Sequence, residues 1–283
     1  MTTTSRPDTL SDPHAPSVRK VAGLSGRSVR TKTGLTLVEG PQAVRELVRY
    51  APDTVKDVYV THAVAGRLGD LMAEVEAACR YVHPVSEKVA RVLAPAGQGI
   101  VAVARTQSLS VPLADAFAGP APFVVVMART QDPGNAGTII RLADATGASA
   151  VVACAGGVDV TSPKVIRASV GSVFHIPLVV GCSLAEVVSH AHLRGVTVLG
   201  ADGAAQASLP EVVAGGDLDS VAWVLGNEAQ GLDRDEVDLL DRTVSIPMWG
   251  RAESYNVAAA AAICLFETAL ARQGKGIGDA SGQ

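Results

Sequence analysis

The sequence lacks the features that mark membrane and secreted proteins. No run reaches the roughly 18 apolar residues that a membrane-spanning helix needs, and the longest, Val257–Phe266, has only ten. Residues 1–17 are mostly polar and contain no apolar core, so we expect a disordered tail there and no secretion signal. We expect a second tail at residues 274–283. These absences predict a cytoplasmic protein without a membrane partner.

Cysteine is scarce, and its spacing argues against metal binding. The four cysteines, Cys79, Cys154, Cys182 and Cys264, form no C-x-x-C pair, so neither a zinc site nor a redox motif is predicted. Each is flanked by apolar or small residues, which is typical of small buried side chains. The sequence also lacks a G-x-G-x-x-G motif after a strand, which argues against a nicotinamide-dependent dehydrogenase.

Positive charge is also scarce overall, but it is unevenly distributed. The net charge is −4; residues 1–120 hold 14 Lys and Arg against 11 Asp and Glu, and residues 121–272 hold 9 against 16. This asymmetry predicts an N-terminal part that contacts phosphate and a C-terminal part that carries the chemistry. The alternative is a solvated basic face. The candidate contacts lie within residues 19–32, which contain no acid: Arg19, Lys20, Arg27, Arg30 and Lys32.

Apolar runs alternate with helical patterns along the chain, which predicts an α/β protein. Residues 18–106 fit a small α/β domain, and the prolines that follow indicate a linker at 107–121. In the second domain, residues 122–273, near-continuous apolar strands are typical of a parallel sheet covered on both faces. Its predicted strands are 123–128, 150–154, 174–180, 196–200, 221–226 and 243–246.

The first candidate motif, DPGNAGTIIRLADATGA, covers residues 132–148 and follows a predicted strand. Ligands of open α/β sheets bind beyond such carboxyl ends. We expect Asn135 in the loop or cap before a helix that begins near Ala136, and Arg141 on the second turn of that helix. Taken alone, the motif fits a helix cap followed by a surface charge equally well.

Two further motifs also follow predicted strands. In WVLGNEAQGL the strand ends at Gly226, where a ligand could approach the backbone closely, and Glu228 could accept hydrogen bonds. In SIPMWGRAESYNVAAAAAICLFE a loop of about nine residues precedes a helix that opens with Ser254 and Asn256. The start of that helix offers free backbone N–H groups. Each motif alone also fits an ordinary turn or helix cap.

Together the three motifs are far more specific. Their order and spacing, NxGxxxR, then LGNExxGL, then IPMxGxxESxNVAxA, resemble the signature motifs of the SpoU/TrmH family of RNA 2′-O-ribose methyltransferases over residues 122–272. SPKVIRASVGSVFHIP (162–177) resembles the segment between the first and second motifs of that family. LVEGPQAVREL (37–47) is similar to the start of its frequent N-terminal RNA-binding domain.

The resemblance implies a SPOUT fold, an α/β domain whose C-terminal chain forms a deep trefoil knot, preceded by a small α/β RNA-binding domain. It implies S-adenosylmethionine as cofactor, RNA as substrate and a homodimer. Ribosomal RNA is favoured over tRNA because an N-terminal RNA-binding domain is commoner in the ribosomal group. An antibiotic-resistance role and a catalytically silent RNA-binding protein of the same fold are the alternatives.

The resemblance also implies roles for individual residues. Tyr255 is the one departure, because the family usually has leucine there; a backbone contact survives that change, so we expect cofactor binding to persist. We expect Arg141 to hold a phosphate and stabilise the developing alkoxide, because a free guanidinium stays protonated and makes a poor base. The catalytic set maps to Asn135, Arg141, Glu228, Ser254 and Asn256, and the cofactor set to Leu225, Gly226, Ile246, Met248, Ser254 and Tyr255.

Overall fold

A computed structural model of the chain describes residues 9–216 and 218–276, with only the backbone given for Ser108. These residues divide into two compact units. Unit 1 contains the described residues up to Leu109 together with Thr161–Phe174, and unit 2 contains the rest. Residues 1–8 and 277–283 of the predicted tails lie outside the described residues. Nowhere in the described ranges is a helix both long and apolar enough to span a membrane.

Strands and helices alternate through most of the chain, as the sequence predicts. The strands are β1 Leu35–Glu39, β2 Val55–Thr61, β3 Val82–Val85, β4 Ile100–Arg105, β5 Phe123–Met127, β6 Ala150–Ala153, β7 Leu178–Val180, β8 Thr197–Ala201, β9 Ala207–Ser208, β10 Val221–Leu225 and β11 Arg242–Ser245. The helices are α1 Pro16–Ala22, α2 Arg27–Thr33, α3 Pro41–Tyr50, α4 His62–Arg67, α5 Gly69–Ala78, α6 Glu87–Leu93, α7 Leu113–Ala116, α8 Pro133–Ala145, α9 Pro163–Ala168, α10 Leu184–Leu193, α11 Leu209–Gly215, α12 Arg234–Val237 and α13 Val257–Gln273.

Unit 1 is built on a mixed four-stranded sheet in the order β1-β4-β2-β3. β4 runs antiparallel to both β1 and β2, whereas β3 is parallel to β2. Val18 of α1 and Leu93 of α6 pack with Leu37 of β1 in one buried cluster. The amphipathic helices therefore cover the sheet with apolar side chains, which provides the main stabilisation of such a unit.

Part of the predicted N-terminal tail is ordered in this unit. Leu10 pairs with Val85 in a parallel bridge; its amide donates to the Pro84 carbonyl at 2.9 Å, and its carbonyl accepts from Ser86 at 3.0 Å. Helix α1 then begins at Pro16. One apolar side chain in a polar stretch is too weak a pattern to predict this edge contact.

Residues 161–174 belong to unit 1, although the sequence predicts them in the second domain. Helix α9 packs on β1, and the buried Thr36 hydroxyl donates to the Thr161 carbonyl at 2.6 Å. Arg167 and Glu39 form an ion pair at 2.7 Å. The segment is therefore part of the packing of the first unit and not only a connection within the second.

Unit 2 contains a seven-stranded sheet in the order β7-β6-β5-β10-β8-β11-β9. Each strand pairing is parallel, and every residue of β5 and β10 is buried. This confirms the predicted α/β fold with a parallel sheet, whose strands are apolar because helices cover both faces. Trp223 of β10 donates to the hydroxyl of Thr268 at 2.8 Å and so fixes α13 on the sheet.

Some boundaries differ from the prediction. The strand predicted at 174–180 contains only Leu178–Val180, because Ser172–Phe174 form a 3-10 turn and Pro177 has no amide to donate. The extra strand, β9, has two residues, too few to show a pattern. Helix α8 begins three residues earlier than expected because Asp132 caps it, its carboxylate accepting from the Asn135 amide at 2.8 Å.

Candidate functional site

The earlier start of α8 changes the position of the first-motif residues. Asn135 lies inside the first turn, and Arg141 lies on the third turn instead of the second. Six residues correspond to about 600° of rotation at 3.6 residues per turn, so the two side chains leave the helix about 120° apart. Arg141 is exposed, and no hydrogen bond or ion pair joins it to any residue in the described ranges. The side chains of Asn135 and Arg141 therefore do not lie side by side.

The second motif forms a tight turn after β10. Asn227 and Gly231 pair through two backbone hydrogen bonds of 2.9 Å. A Cβ at Gly226 would lie 2.3 Å from the Gly231 carbonyl carbon, so a side chain there cannot be accommodated without moving the backbone. The sequence suggests that this glycine serves ligand approach, but the turn itself already requires it.

Glu228 connects this turn to the first motif. Its carboxylate accepts from the Asp132 amide at 2.9 Å, from the Gln131 amide at 3.2 Å and from Nδ2 of Asn135 at 3.3 Å. Burial raises the pKa of Glu228, but these hydrogen bonds together with one from its own amide outweigh burial and hold the pKa below its ordinary value. An ionised carboxylate with several donors is a positioning group and a weak proton acceptor.

Arg129, just before the first motif, forms a second connection, to the segment that follows the turn, and sequence reasoning missed it. Its guanidinium makes a bidentate ion pair with Glu236 at 2.7 and 2.9 Å and reaches Asp233 at 3.2 Å. The hydrogen bonds that Arg129 donates to Glu236 raise the pKa of Arg129 above its ordinary value. Two parallel hydrogen bonds between one guanidinium and one carboxylate fix the relative orientation of the two side chains. A lone arginine two residues after a strand gives no sequence signal for its partner more than 100 positions away.

The third motif links the start of α13 to the first motif. Asn256 caps the helix by accepting from the amides of Ala258 at 2.9 Å and Ala259 at 3.3 Å. Its Nδ2 donates to Oδ1 of Asn135 at 3.2 Å. Asn256, and not Ser254, is thus the cap. Hydrogen bonds run from Asn256 through Asn135 to Glu228, so residues from all three motifs meet in one network.

The turn after β10 and the loop after β11 border one cleft of about 460 Å³. The cleft lies at the carboxyl ends of β8, β10 and β11, where open parallel sheets bind ligands. All the predicted cofactor contacts line it, and so does Glu228: Leu225, Gly226, Ile246, Met248, Ser254 and Tyr255. Asn135, Arg141 and Asn256 are not among the lining residues.

The cleft has further walls that sequence reasoning missed. Asp202, Gly203 and Ala204, which follow β8, line it, as do Gln230 and Glu253. The position of Asp202 at the end of a parallel strand was a usable signal, because the ends of neighbouring strands meet at one edge of the sheet. The carboxylates of Asp202, Glu228 and Glu253 make part of the wall acidic, and apolar side chains such as Ile246 and Val257 form another part.

The predicted phosphate contacts in unit 1 do not behave alike. Arg30 is only 5% exposed, and its guanidinium donates to the carbonyls of Leu24 at 3.1 Å and Ser25 at 2.7 Å. Arg30 therefore ties α2 to the preceding turn and is withdrawn from the predicted RNA contacts. The other four are exposed on α1 and α2: Arg19, Lys20, Arg27 and Lys32.

Known proteins resemble the chain along most of its length. It is 34% identical over 244 residues to the 23S rRNA (guanosine-2'-O-)-methyltransferase RlmB of Bordetella pertussis. The matched region covers 84% of this chain and 98% of that protein. The 23S rRNA (guanosine(2553)-2'-O)-methyltransferase RlmP of Bacillus subtilis is 33% identical over 247 residues, which cover 86% of this chain and 92% of that protein.

Solved structures agree with these relatives. An AdoMet-bound rRNA methyltransferase from Sinorhizobium meliloti has a TM-score of 0.79 at 28% identity and covers 94% of this chain and 98% of its own. AviRb from Streptomyces viridochromogenes, in complex with AdoMet, has a TM-score of 0.79 at 28% identity over 92% of this chain and 100% of its own. The SpoU rRNA Methylase family matches residues 122–266, the region that contains all three motifs. The chain therefore belongs to the SpoU rRNA methylase family.

Proposed function

We propose that the protein transfers a methyl group from S-adenosylmethionine to a ribose 2′-hydroxyl of ribosomal RNA. The observation that carries this proposal is the cleft, where every residue that the family resemblance assigns to the cofactor lines one cavity beside the hydrogen-bonded network of Glu228, Asn135 and Asn256. The curated relatives named above act on 23S rRNA, which favours ribosomal RNA over tRNA.

The cleft fits the chemistry of this cofactor. Its volume of about 460 Å³ lies within the roughly 300–1,000 Å³ of small-molecule sites. Apolar side chains such as Ile246 and Met248 suit an adenine ring, and the acidic wall with Asp202 and Glu253 suits a cationic sulfonium and ribose hydroxyls. Bound there, S-adenosylmethionine supplies the methyl group as an electrophile.

The residues of the chain then position the nucleophile. The 2′-oxygen attacks in line with the bond that breaks, so orientation of the ribose is the main requirement. Glu228 holds the first-motif loop through the Gln131 and Asp132 amides, and Asn135 is fixed between Glu228 and Asn256. We assign Arg141 to an RNA phosphate and to the developing alkoxide. Its guanidinium is exposed and makes no hydrogen bond or ion pair with any described residue, so it is available to an external anion.

The four exposed basic residues of α1 and α2 supply RNA affinity in this proposal. Arg19 and Lys20 lie in the last turn of α1, and Arg27 and Lys32 lie on α2. Exposed cations near each other attract phosphate and release its counterions. The division into an RNA-binding domain at 18–106 and a methyltransferase domain at 122–273 stays a prediction, and the packing of 161–174 in unit 1 qualifies it.

A homodimer and a trefoil knot are also part of the proposal. Phe266 and Leu270, one turn apart on α13, are 60% and 58% exposed, and such a pair suits a contact with a second copy. β10 lies between β5 and β8 in the sheet, and the chain continues through β11 before α13 packs against α8 and β10. This order is compatible with the knot that the family resemblance implies. Replacing Phe266 and Leu270 by glutamate should give a monomer in sedimentation.

Methyl transfer to unmodified RNA tests the proposal. Purified protein, radiolabelled S-adenosylmethionine and a 23S rRNA transcript should yield label in RNA, and alkali-resistant linkage mapping should locate it at one ribose. The same assay with a tRNA transcript tests the alternative substrate. Binding of the transcript without any transfer of label would instead identify a catalytically silent RNA-binding protein.

A further inference from the structure

The chain contains two tryptophans in opposite environments. Trp223 is 0% exposed and hydrogen-bonded inside the sheet, whereas Trp249 is 90% exposed. Aromatic residues make up only 4% of the sequence, so few side chains of this chain could stack on a ligand, and Trp249 is one that is exposed. Tryptophan is enriched at interaction surfaces, because its ring is apolar while its N–H can bind water or a partner.

The position of Trp249 relates it to the candidate cleft. It lies in the loop between β11 and α13, directly after Met248, and Met248, Glu253 and Ser254 all line the cleft. The Tyr255 hydroxyl donates to the Pro247 carbonyl at 3.3 Å, so the two ends of this loop are joined. The closed loop therefore presents the indole to solvent beside the cleft.

The charge of the loop favours a particular kind of ligand. Arg251, two residues after Trp249, is exposed and gives the same loop a cation. Glu253 is the one acid of the loop and lines the cleft. An aromatic face beside an exposed arginine is the combination that binds single-stranded nucleic acid, through base stacking and phosphate contact.

We propose that Trp249 is a stacking platform for one unpaired base of the RNA substrate and that Arg251 contacts a neighbouring phosphate. The inference rests on the proposed function, because the methylated ribose must reach the cleft and its strand must then pass the loop. RNA is read mainly in unpaired regions, where splayed bases stack on aromatic side chains. Stacking accepts every base, so Trp249 contributes affinity and position more than base identity.

Substitution of Trp249 tests the inference against a matched control. Trp249→Ala should weaken binding of a 23S rRNA transcript by about 5- to 140-fold, the affinity equivalent of one base–aromatic stack. KM for RNA should rise and the affinity for S-adenosylmethionine should stay unchanged. Trp249→Phe should retain most of the affinity, because a smaller ring still stacks. The control is Leu193→Ala, which removes another exposed apolar side chain, 82% exposed on α10, and should change nothing.

Fluorescence gives a direct measurement that does not depend on turnover. The emission of wild-type protein minus that of Trp249→Phe reports Trp249, and the 23S rRNA transcript should quench it. Arg251→Ala should lower the slope of log affinity against log salt concentration by about one, the effect of losing one phosphate contact. Equal RNA affinity of wild type and Trp249→Ala, or a monomer produced by Trp249→Ala, would overturn the inference. Quenching without any methyl transfer would support the stacking platform while the proposed activity fails.

Discussion

The cleft of unit 2 and the basic helices of unit 1 use their polar side chains in opposite ways. Beside the cleft, Asn135 is hydrogen-bonded to both Glu228 and Asn256. On α1 and α2 the cations are mostly exposed, as Arg19 and Lys32 show. The first region is organised before a ligand arrives, which lowers the cost of reaching the reactive geometry. The second region leaves its charges available to an external partner.

The difference separates two kinds of experimental effect. Changes within the hydrogen-bonded network should alter stability and turnover, because they remove interactions that the chain makes with itself. Changes among the exposed cations should alter RNA affinity and its salt dependence, because those cations act on another molecule. Two arginines cross this division: Arg141 is exposed although it lies in unit 2, and Arg30 is buried although it lies in the basic run.

Arg141 gives the largest expected effect. Arg141→Ala should lower the single-turnover rate of methyl transfer by about 100-fold or more, the scale for losing one preorganised electrostatic partner. Cofactor affinity should hardly change, because Arg141 does not line the cleft. Arg141→Lys should rescue little, since a point charge does not replace a bidentate fork. Near-normal turnover in the alanine variant would reduce Arg141 to a surface charge.

Charge reversal in the basic run gives the next largest effect. Replacing Arg19, Arg27 and Lys32 by glutamate should weaken RNA binding by at least about 10-fold and lower the salt dependence by roughly three phosphate contacts. Cofactor binding should stay intact. The measurement is filter binding of the transcript over a series of salt concentrations.

Arg30→Met is the matched control for that experiment. Because Arg30 is buried and bonded to the Leu24 and Ser25 carbonyls, its loss should lower the melting temperature and leave the RNA affinity of the folded protein unchanged. The comparison between exposed and buried cations fails if Arg30→Met weakens RNA binding as much as the triple reversal does.

Glu228 tests the hydrogen-bonded region. Glu228→Ala removes the acceptor of two backbone amides and of Asn135, so the free energy of unfolding should fall by about 2 kcal/mol, the usual scale for hydrogen bonds to a charged group. Denaturant titration measures it. Glu253→Ala, which removes an exposed carboxylate of the same cleft, should be close to wild type. Equal stability of the two variants would show that water replaces the Glu228 contacts.

The same carboxylate predicts a pH dependence. The pKa of Glu228 is lowered in the folded protein, so its contribution is complete above the unfolded value of about 4.3 and is lost as pH falls through the folded value. The melting temperature of wild type should therefore fall more steeply in acid than that of Glu228→Gln. Parallel melting curves of the two proteins against pH would contradict this assignment.

Tyr255 gives the smallest expected effect. Tyr255→Phe removes the hydrogen bond to the Pro247 carbonyl at a half-exposed position, which is worth at most about 1 kcal/mol. Cofactor affinity measured by calorimetry should fall by no more than about 5-fold. Tyr255→Leu, the residue usual in the family, should bind the cofactor as well as Tyr255→Phe does. A complete loss of binding in either variant would place the phenol in the cofactor contact itself.

The sequence predicted the parts of the molecule that depend on local pattern. The apolar strands β5 and β10 and the last helix were clear because burial on both faces and Ala-rich periodicity extend over many residues. Asn135, Glu228 and Asn256 converge because the ends of parallel strands meet at one edge, whereas Arg141 does not join them. Family resemblance supplied the assignment of Ile246 and Met248 to a cofactor, which pattern alone could not give.

What the sequence did not predict depends on pairing between distant residues. Arg129 has the same local context whether or not Glu236 lies opposite it. Arg30 looks like its basic neighbours, and only the fold directs it inward. The position of Arg141 relative to Asn135 changed because one capping residue, Asp132, moved the helix start by three positions. Such details follow from tertiary packing and not from composition or period.

The packing of residues 161–174 in unit 1 has a consequence for the order in which the chain acquires structure during synthesis. The ribosome releases the chain from its N-terminus, and domains commonly fold as they emerge. Unit 1 cannot complete its contacts at Leu109, because the partners of Thr36 and Glu39, Thr161 and Arg167, are made later. The first strands of unit 2, β5 and β6, are therefore synthesised before unit 1 can close, so unit 2 can begin to fold while unit 1 is still incomplete.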